Sequence, residues 1–249
     1  MKRALAILIL ILSNYLYAEL PEGCDAELPK TIDQVNPYNH KVLCATQNIE
    51  DADWNFLSAN VVIDLKGKTI SVKDISAVFG ASITIQNGKL EFTHDQASDK
   101  YPAIRGHEST LILNNMTLRQ FGDDQKSMIV FGGNFVSIAN SKIFTESNTF
   151  LGVNDIRQVN FYHNTIVGGR EYYRNNSVAL GLADVQFALI TDNVFVNWKT
   201  AVKANICYLD RPCEAFVERN IFSRVRVLLD SDYGRQSENS QFYESQYFE

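Results

Sequence analysis

Cysteine is scarce in this chain, with four in 249 residues, and no two of them form a Cys-x-x-Cys pair. Thiolate metal sites therefore have little footing, and disulfides are the favoured use of these residues. Long apolar runs are missing too. The one candidate, Ala4 to Leu12, falls well short of the roughly 20 residues that span a bilayer. With Lys2-Arg3 ahead of it and Leu16-Tyr17-Ala18 behind, it reads as a secretory signal peptide over 1–18. The expectation is an exported protein, periplasmic or secreted, with no transmembrane segment in the mature chain. A basic excess is also absent. Removing Lys2 and Arg3 from the 23 basic residues leaves 21 against 29 acidic ones, a net charge of −8. That balance argues against nucleic acid and anionic membranes as partners. In an oxidising compartment the cysteines pair by closeness as Cys24–Cys44 and Cys207–Cys213, one of three possible connectivities.

What the chain does have is a phrase repeated seven times: apolar, any, turn-forming, two more, apolar. It runs as Leu65-x-Gly67-x-x-Ile70, Ile85-x-Asn87-x-x-Leu90, Leu113-x-Asn115-x-x-Leu118 and Ile138-x-Asn140-x-x-Ile143. It continues as Phe161-x-His163-x-x-Ile166, Ile190-x-Asp192-x-x-Phe195 and Val217-x-Arg219-x-x-Phe222. The steps between first anchors vary from 20 to 29 residues, as in a solenoid whose loops vary while its strands do not. Each phrase is two short strands hinged at a residue suited to left-handed backbone, Asn, Asp or Gly in most repeats. Stacked coils would set the hinge amides one above another as a ladder, with His163 standing in for Asn in one rung. Hairpins are disfavoured, because the phrases lie too far apart to pair locally.

A third apolar strand follows each hinge, for example Met128-Ile129-Val130, Leu151-Gly152-Val153 and Val178-Ala179-Leu180. Three strands per turn with a short Asn-type corner resembles the right-handed parallel β-helix of the pectate-lyase-like superfamily. The expected fold is all-β, a capped solenoid of about seven coils. At roughly 4.8 Å per coil the rod is about 34 Å long. The expected layout is a signal peptide at 1–18, an N-terminal cap at 19–59, the β-helix at 60–230 and a C-terminal cap or tail at 231–249.

The resemblance implies a ligand on the third-strand face. Counting back from each anchor, the outward residues there are expected to be Ile129 and Phe131, Gly152 and Asn154, and Gly181 and Ala183. That strip lacks the Asp or Glu calcium ligands of a pectate lyase and the grouped Asp residues of a polygalacturonase. Asp155 and Asp184 fall six residues before their anchors in consecutive coils. Stacked carboxylates can serve a glycosidase or hold Ca²⁺, though Asp is also a common turn residue. His107 is expected in the same column. Arg105 and Lys203 flank the face about three coils apart, each a candidate base for a β-eliminating lyase, though such a residue is more often a solvated edge charge. No motif calls for a cofactor or a resident metal.

The loop from Gly168 to Ser177 is the richest in binding chemistry. Tyr172 and Tyr173 offer flat faces for sugar rings, and Arg170 and Arg174 offer planar forks for carboxylate or sulfate. Trp198, in the equivalent loop of the next coil, would extend that platform. Together these features point to an exported solenoid that binds polysaccharide or cell-envelope glycan without catalysis. Two alternatives stay open. One is a small polysaccharide lyase or glycoside hydrolase using Asp155, Asp184 and Lys203, and the other is a structural or interaction solenoid of the cell envelope.

Overall fold

The structure is a computed structural model that describes residues 20–33, 37–93, 102–121, 127–169, 176–205, 214–231, 234–236 and 241–243. The proposed signal peptide, the Arg170–Arg174 stretch and the Cys207/Cys213 pair lie outside them.

The seven phrases become seven consecutive turns of an all-β parallel solenoid. Their second anchors stand in direct register, coil upon coil: Ile70, Leu90, Leu118, Ile143, Ile166, Phe195 and Phe222. All seven are buried. From the second coil on, the first anchors align as well, through Ile85, Leu113, Ile138, Phe161, Ile190 and Val217. The first coil is the exception. Ile63, not Leu65, pairs with Ile85, because the Lys66–Gly67 turn adds two residues there. The third strands form their own buried column of Ile75, Ile104, Ile129, Leu151, Leu180, Val202 and Leu229, the last half-buried. Towards the C-terminal end, aromatic rings meet in the core: Phe150–Phe161 and Phe161–Phe195 are tilted at 6.2 Å, and Phe195 and Phe222 stack in register at 5.3 Å.

Coil geometry also extends back into the region expected to be a cap. Lys41–Cys44 pairs in parallel with Val61–Asp64, and Asp53–Leu57 pairs with Asp74–Val78. Trp54 is buried there, its indole N–H donating to the Pro29 carbonyl at 3.0 Å. The Cys24–Cys44 disulfide joins the start of this region to its first full coil.

Every hinge residue has positive φ: Gly67, Asn87, Asn115, Asn140, His163, Asp192 and Arg219. The hydrogen-bonded ladder, however, is mostly one residue further on. Asn164, Asn193 and Asn220 are buried with Ser141 above them. The Ser141 N–H donates to Asn164 Oδ1 at 2.9 Å, the Asn164 N–H to Asn193 Oδ1 at 2.9 Å, and the Asn193 N–H to Asn220 Oδ1 at 2.9 Å. Each Asn side chain also donates at 2.8 Å to a carbonyl of the preceding coil, Ile138, Phe161 and Ile190 in turn. His163 is therefore not a rung of the inner ladder; its side chain is 59% exposed beside Asp192. The outer hinge column is joined only in places, as in the 3.0 Å bond from Asn115 Nδ2 to Asn87 Oδ1.

Candidate functional site

The third-strand face differs from its expected form by one residue in one coil. Val130 and Gly132, not Ile129 and Phe131, pair with Gly152 and Asn154 and face outward, while Ile129 and Phe131 are core. The cause is a bulge. Asn154 pairs with Gly132 and Ile156 with Gly133, so Asp155 is an extra residue that a count back from the anchors overlooks. The outward row of this face reads Arg105, Val130, Gly152, Gly181, Lys203 and Asp230. Arg105 and Lys203 thus lie four coil steps apart, about 19 Å, rather than three. Each has a local carboxylate: Arg105 Nη2 is 2.8 Å from Asp74 Oδ2, and Lys203 Nζ is 4.0 Å from Asp230 Oδ2.

Asp155 and Asp184 do share a corner in adjacent coils, flanked by the pairs Asn154–Ala183 and Ile156–Val185. Both hold left-handed backbone, with φ of 51° and 49°. Asp155 is exposed and Asp184 buried. Two coils earlier the left-handed corner residue is Glu108 rather than His107. Lys203 pairs with Gly181, three residues along the strand from Asp184, and its ion pair is to Asp230. The face thus brings the two aspartates together and leaves the lysine apart. Among the described residues, no group of three or more His, Cys, Asp and Glu side chains is placed to hold a metal ion.

A polar cluster that sequence reasoning missed lies at the N-terminal end of this face. Asp53 and Asp74 pair in register, Asn55 donates to Asp53 at 3.1 Å, and Ser76 Oγ bonds Asn55 Oδ1. Burial pushes the Asp74 carboxyl above its ordinary value; the Arg105 guanidinium opposes that rise and Asp53 reinforces it. The Asp53–Asp74 pairing, the Ser76–Asn55 bond and the Arg105–Asp74 ion pair each join neighbouring coils, which makes the cluster a clamp between them.

Trp198 does not form a surface platform. It is buried, its ring directly beneath Gly168, where an added Cβ would come 3.1 Å from the indole and 2.7 Å from the Asn197 carbonyl. Its N–H points to the Ile166 carbonyl at 3.4 Å. Among the described residues three phenylalanines are exposed, Phe79, Phe121 and Phe144, and of these Phe121 and Phe144 share one site. Together with Arg119, Glu146, Val167, Gly168 and Gly169 they line an open, mainly apolar cleft of about 270 Å³ on the second-strand face. Strand alternation makes this cleft: Ile143 and Thr145 point inward, and Phe144 between them points out. Arg119 occupies the same outward column one coil earlier, its guanidinium carbon 5.4 Å from the Phe144 ring centroid. Gly169 leads straight into the Arg170–Arg174 stretch, so the loop singled out in the sequence is rooted at the cleft wall. The outward phase of Phe144 was readable from Lys142-Ile143-Phe144-Thr145; a lone apolar residue on a polar face was the signal.

No family model, curated protein or solved structure matches this chain.

Proposed function

We propose that this chain is an exported β-helix protein of the pectate-lyase-like kind that binds polysaccharide or cell-envelope glycan without cleaving it. One observation carries the reading: the cleft sets two exposed aromatic rings, Phe121 and Phe144, beside an Arg119 guanidinium that has no carboxylate partner among the described residues. Aromatic faces take the C–H face of a sugar ring, and a guanidinium pairs with its polar substituents. Tyr172, Tyr173, Arg170 and Arg174 would add the same chemistry from the adjoining loop. The binding surface proposed is thus the second-strand face and the loop rooted there, in place of the third-strand face. The Cys24–Cys44 disulfide supports an oxidising compartment and hence export.

The test is a glycan array probed with the purified protein, followed by product analysis of each hit. Binding with intact glycan, lost in Phe144→Ala and in the double change of Tyr172 and Tyr173 to Ala, supports the reading. A second reading, a small lyase or hydrolase, draws on the stacking of Asp155 over Asp184 in adjacent coils. Cleavage products that vanish in Asp184→Asn would favour it. An empty array favours an envelope scaffold.

A further inference from the structure

Phe144 belongs to a longer feature. In register along the rod, the outward column of the second strand reads Arg119, Phe144, Val167, Val196 and Ser223. Three consecutive coils therefore present an apolar side chain outward, exposed in Phe144 and half-buried in Val167 and Val196. Arg119 closes the row at one end and Ser223 at the other. The neighbouring outward column reads Thr117, Lys142, Thr165, Val194 and Ile221. Hydroxyl and ammonium groups thus run beside Arg119, Phe144 and Val167, and apolar Val194 and Ile221 lie beside Val196 and Ser223.

We infer that the occupant is an extended, flat polysaccharide chain lying parallel to the rod axis on this lane, rather than a single terminal sugar in the cleft. This rests on the carbohydrate reading above and specifies the ligand. The four coil steps from Arg119 to Ser223 make a lane of about 19 Å. A β-1,4-linked ribbon advances by about one sugar per coil spacing, so successive rings meet Phe144, Val167 and Val196 in turn. Its ring faces cover apolar side chains, and its edges turn hydroxyls towards Thr117, Lys142 and Thr165. A peptide strand suits the lane poorly. This is the face of a sheet, where ladder N–H and C=O groups are already paired, so an incoming backbone would find no partners.

The experiment is titration calorimetry with cello- and chito-oligosaccharides of two to six units, using wild type, Phe144→Ala, Val196→Asp and Val196→Thr. Melting curves confirm that each variant is folded, and the shape-conserving Thr change serves if the Asp change is not. Affinity should climb steeply from the dimer and level off at four or five units. Val196→Asp should weaken the hexamer about tenfold, some 1.4 kcal/mol, and leave the dimer unchanged, whereas Phe144→Ala should weaken both. Binding independent of length, or a hexamer indifferent to both Val196 changes, overturns the lane. Failure of both series to bind while the array yields other Phe144-dependent glycans overturns the flat-ribbon ligand and leaves the binding function standing. Failure on both series with an empty array overturns both.

Discussion

Two columns of residues run side by side down the same corner of this solenoid and do opposite work. The outer column, Asn87, Asn115, Asn140, His163, Asp192 and Arg219, supplies the left-handed backbone of each hinge and faces largely outward. The inner column, Ser141, Asn164, Asn193 and Asn220, lies one residue further on, is sealed from solvent and carries the hydrogen bonds between coils. The outer position tolerates Asn, His, Asp and Arg because an exposed αL residue costs only on the order of 1 kcal/mol beyond glycine. From Asn164 onward the inner one repeats Asn. That side chain alone supplies an amide donor and a carbonyl acceptor at once in that small space. Over the last three coils, the position that varies bends the chain and the position that repeats Asn holds the coils.

Asn193→Ala should separate the columns most sharply. It strips the acceptor from the Asn164 N–H and side-chain amide and the donor from the Phe161 carbonyl. At about 1–3 kcal/mol per orphaned buried group, chemical denaturation should register a loss of about 3 kcal/mol or more. A loss under about 1 kcal/mol would mean that the ladder does not hold the coils. Gln120 makes an intermediate case. Its Oε1 accepts from Thr145 Oγ1 at 2.8 Å and from Ser147 Oγ, while its buried Nε2 has no partner among the described residues. Exchanging the amide's O and N would only orphan the other atom. Gln120→Leu should therefore cost less than Asn193→Ala, about 1–2 kcal/mol, because it removes an unmet donor along with a used acceptor. On the outer column, Asn115→Ala should cost about 1 kcal/mol and Asn115→Gly within about 0.5 kcal/mol of zero, since glycine takes positive φ freely.

The smallest effect is a pH dependence. Two Arg219 hydrogen bonds, at 2.9 and 2.7 Å, hold the Asp192 carboxyl below its ordinary value. A depressed carboxyl stabilises the fold above its unfolded pKa, and that share is lost as pH falls through the folded one. The melting-temperature gap between wild type and Arg219→Gln should therefore be steady at neutral pH and narrow on acidification below the ordinary Asp range. A gap that widens there would contradict the pairing.

Much of the fold was legible because each repeat states its two core anchors and its hinge in six residues. The inner ladder was not, because Asn stands at both the third and fourth positions of the phrase in different coils. Alternation also breaks at a left-handed residue, so phase alone cannot say which of two neighbours points inward. The third-strand phase of Met128-Ile129-Val130-Phe131 was illegible for a related reason: all four are apolar, and the extra residue Asp155 spoils a count from the hinge. Trp198 was misjudged because a polar run beside it, Asn197 and Lys199, resembles a loop, while its ring is held under Gly168. The cleft depended on which coils sit next to each other, and register between coils is written in no local segment.

The inner amides also give the rod a direction of assembly. Ser141 is completed by Asn164, Asn164 by Asn193 and Asn193 by Asn220, always by the coil that follows in the chain. A chain emerging from its N-terminus, as at the ribosome, would therefore carry an unsealed corner at its growing end until the next turn closes over it. A chain stopped just before Asn220 would leave that corner open for good, so each added turn acts as the latch of the one before it.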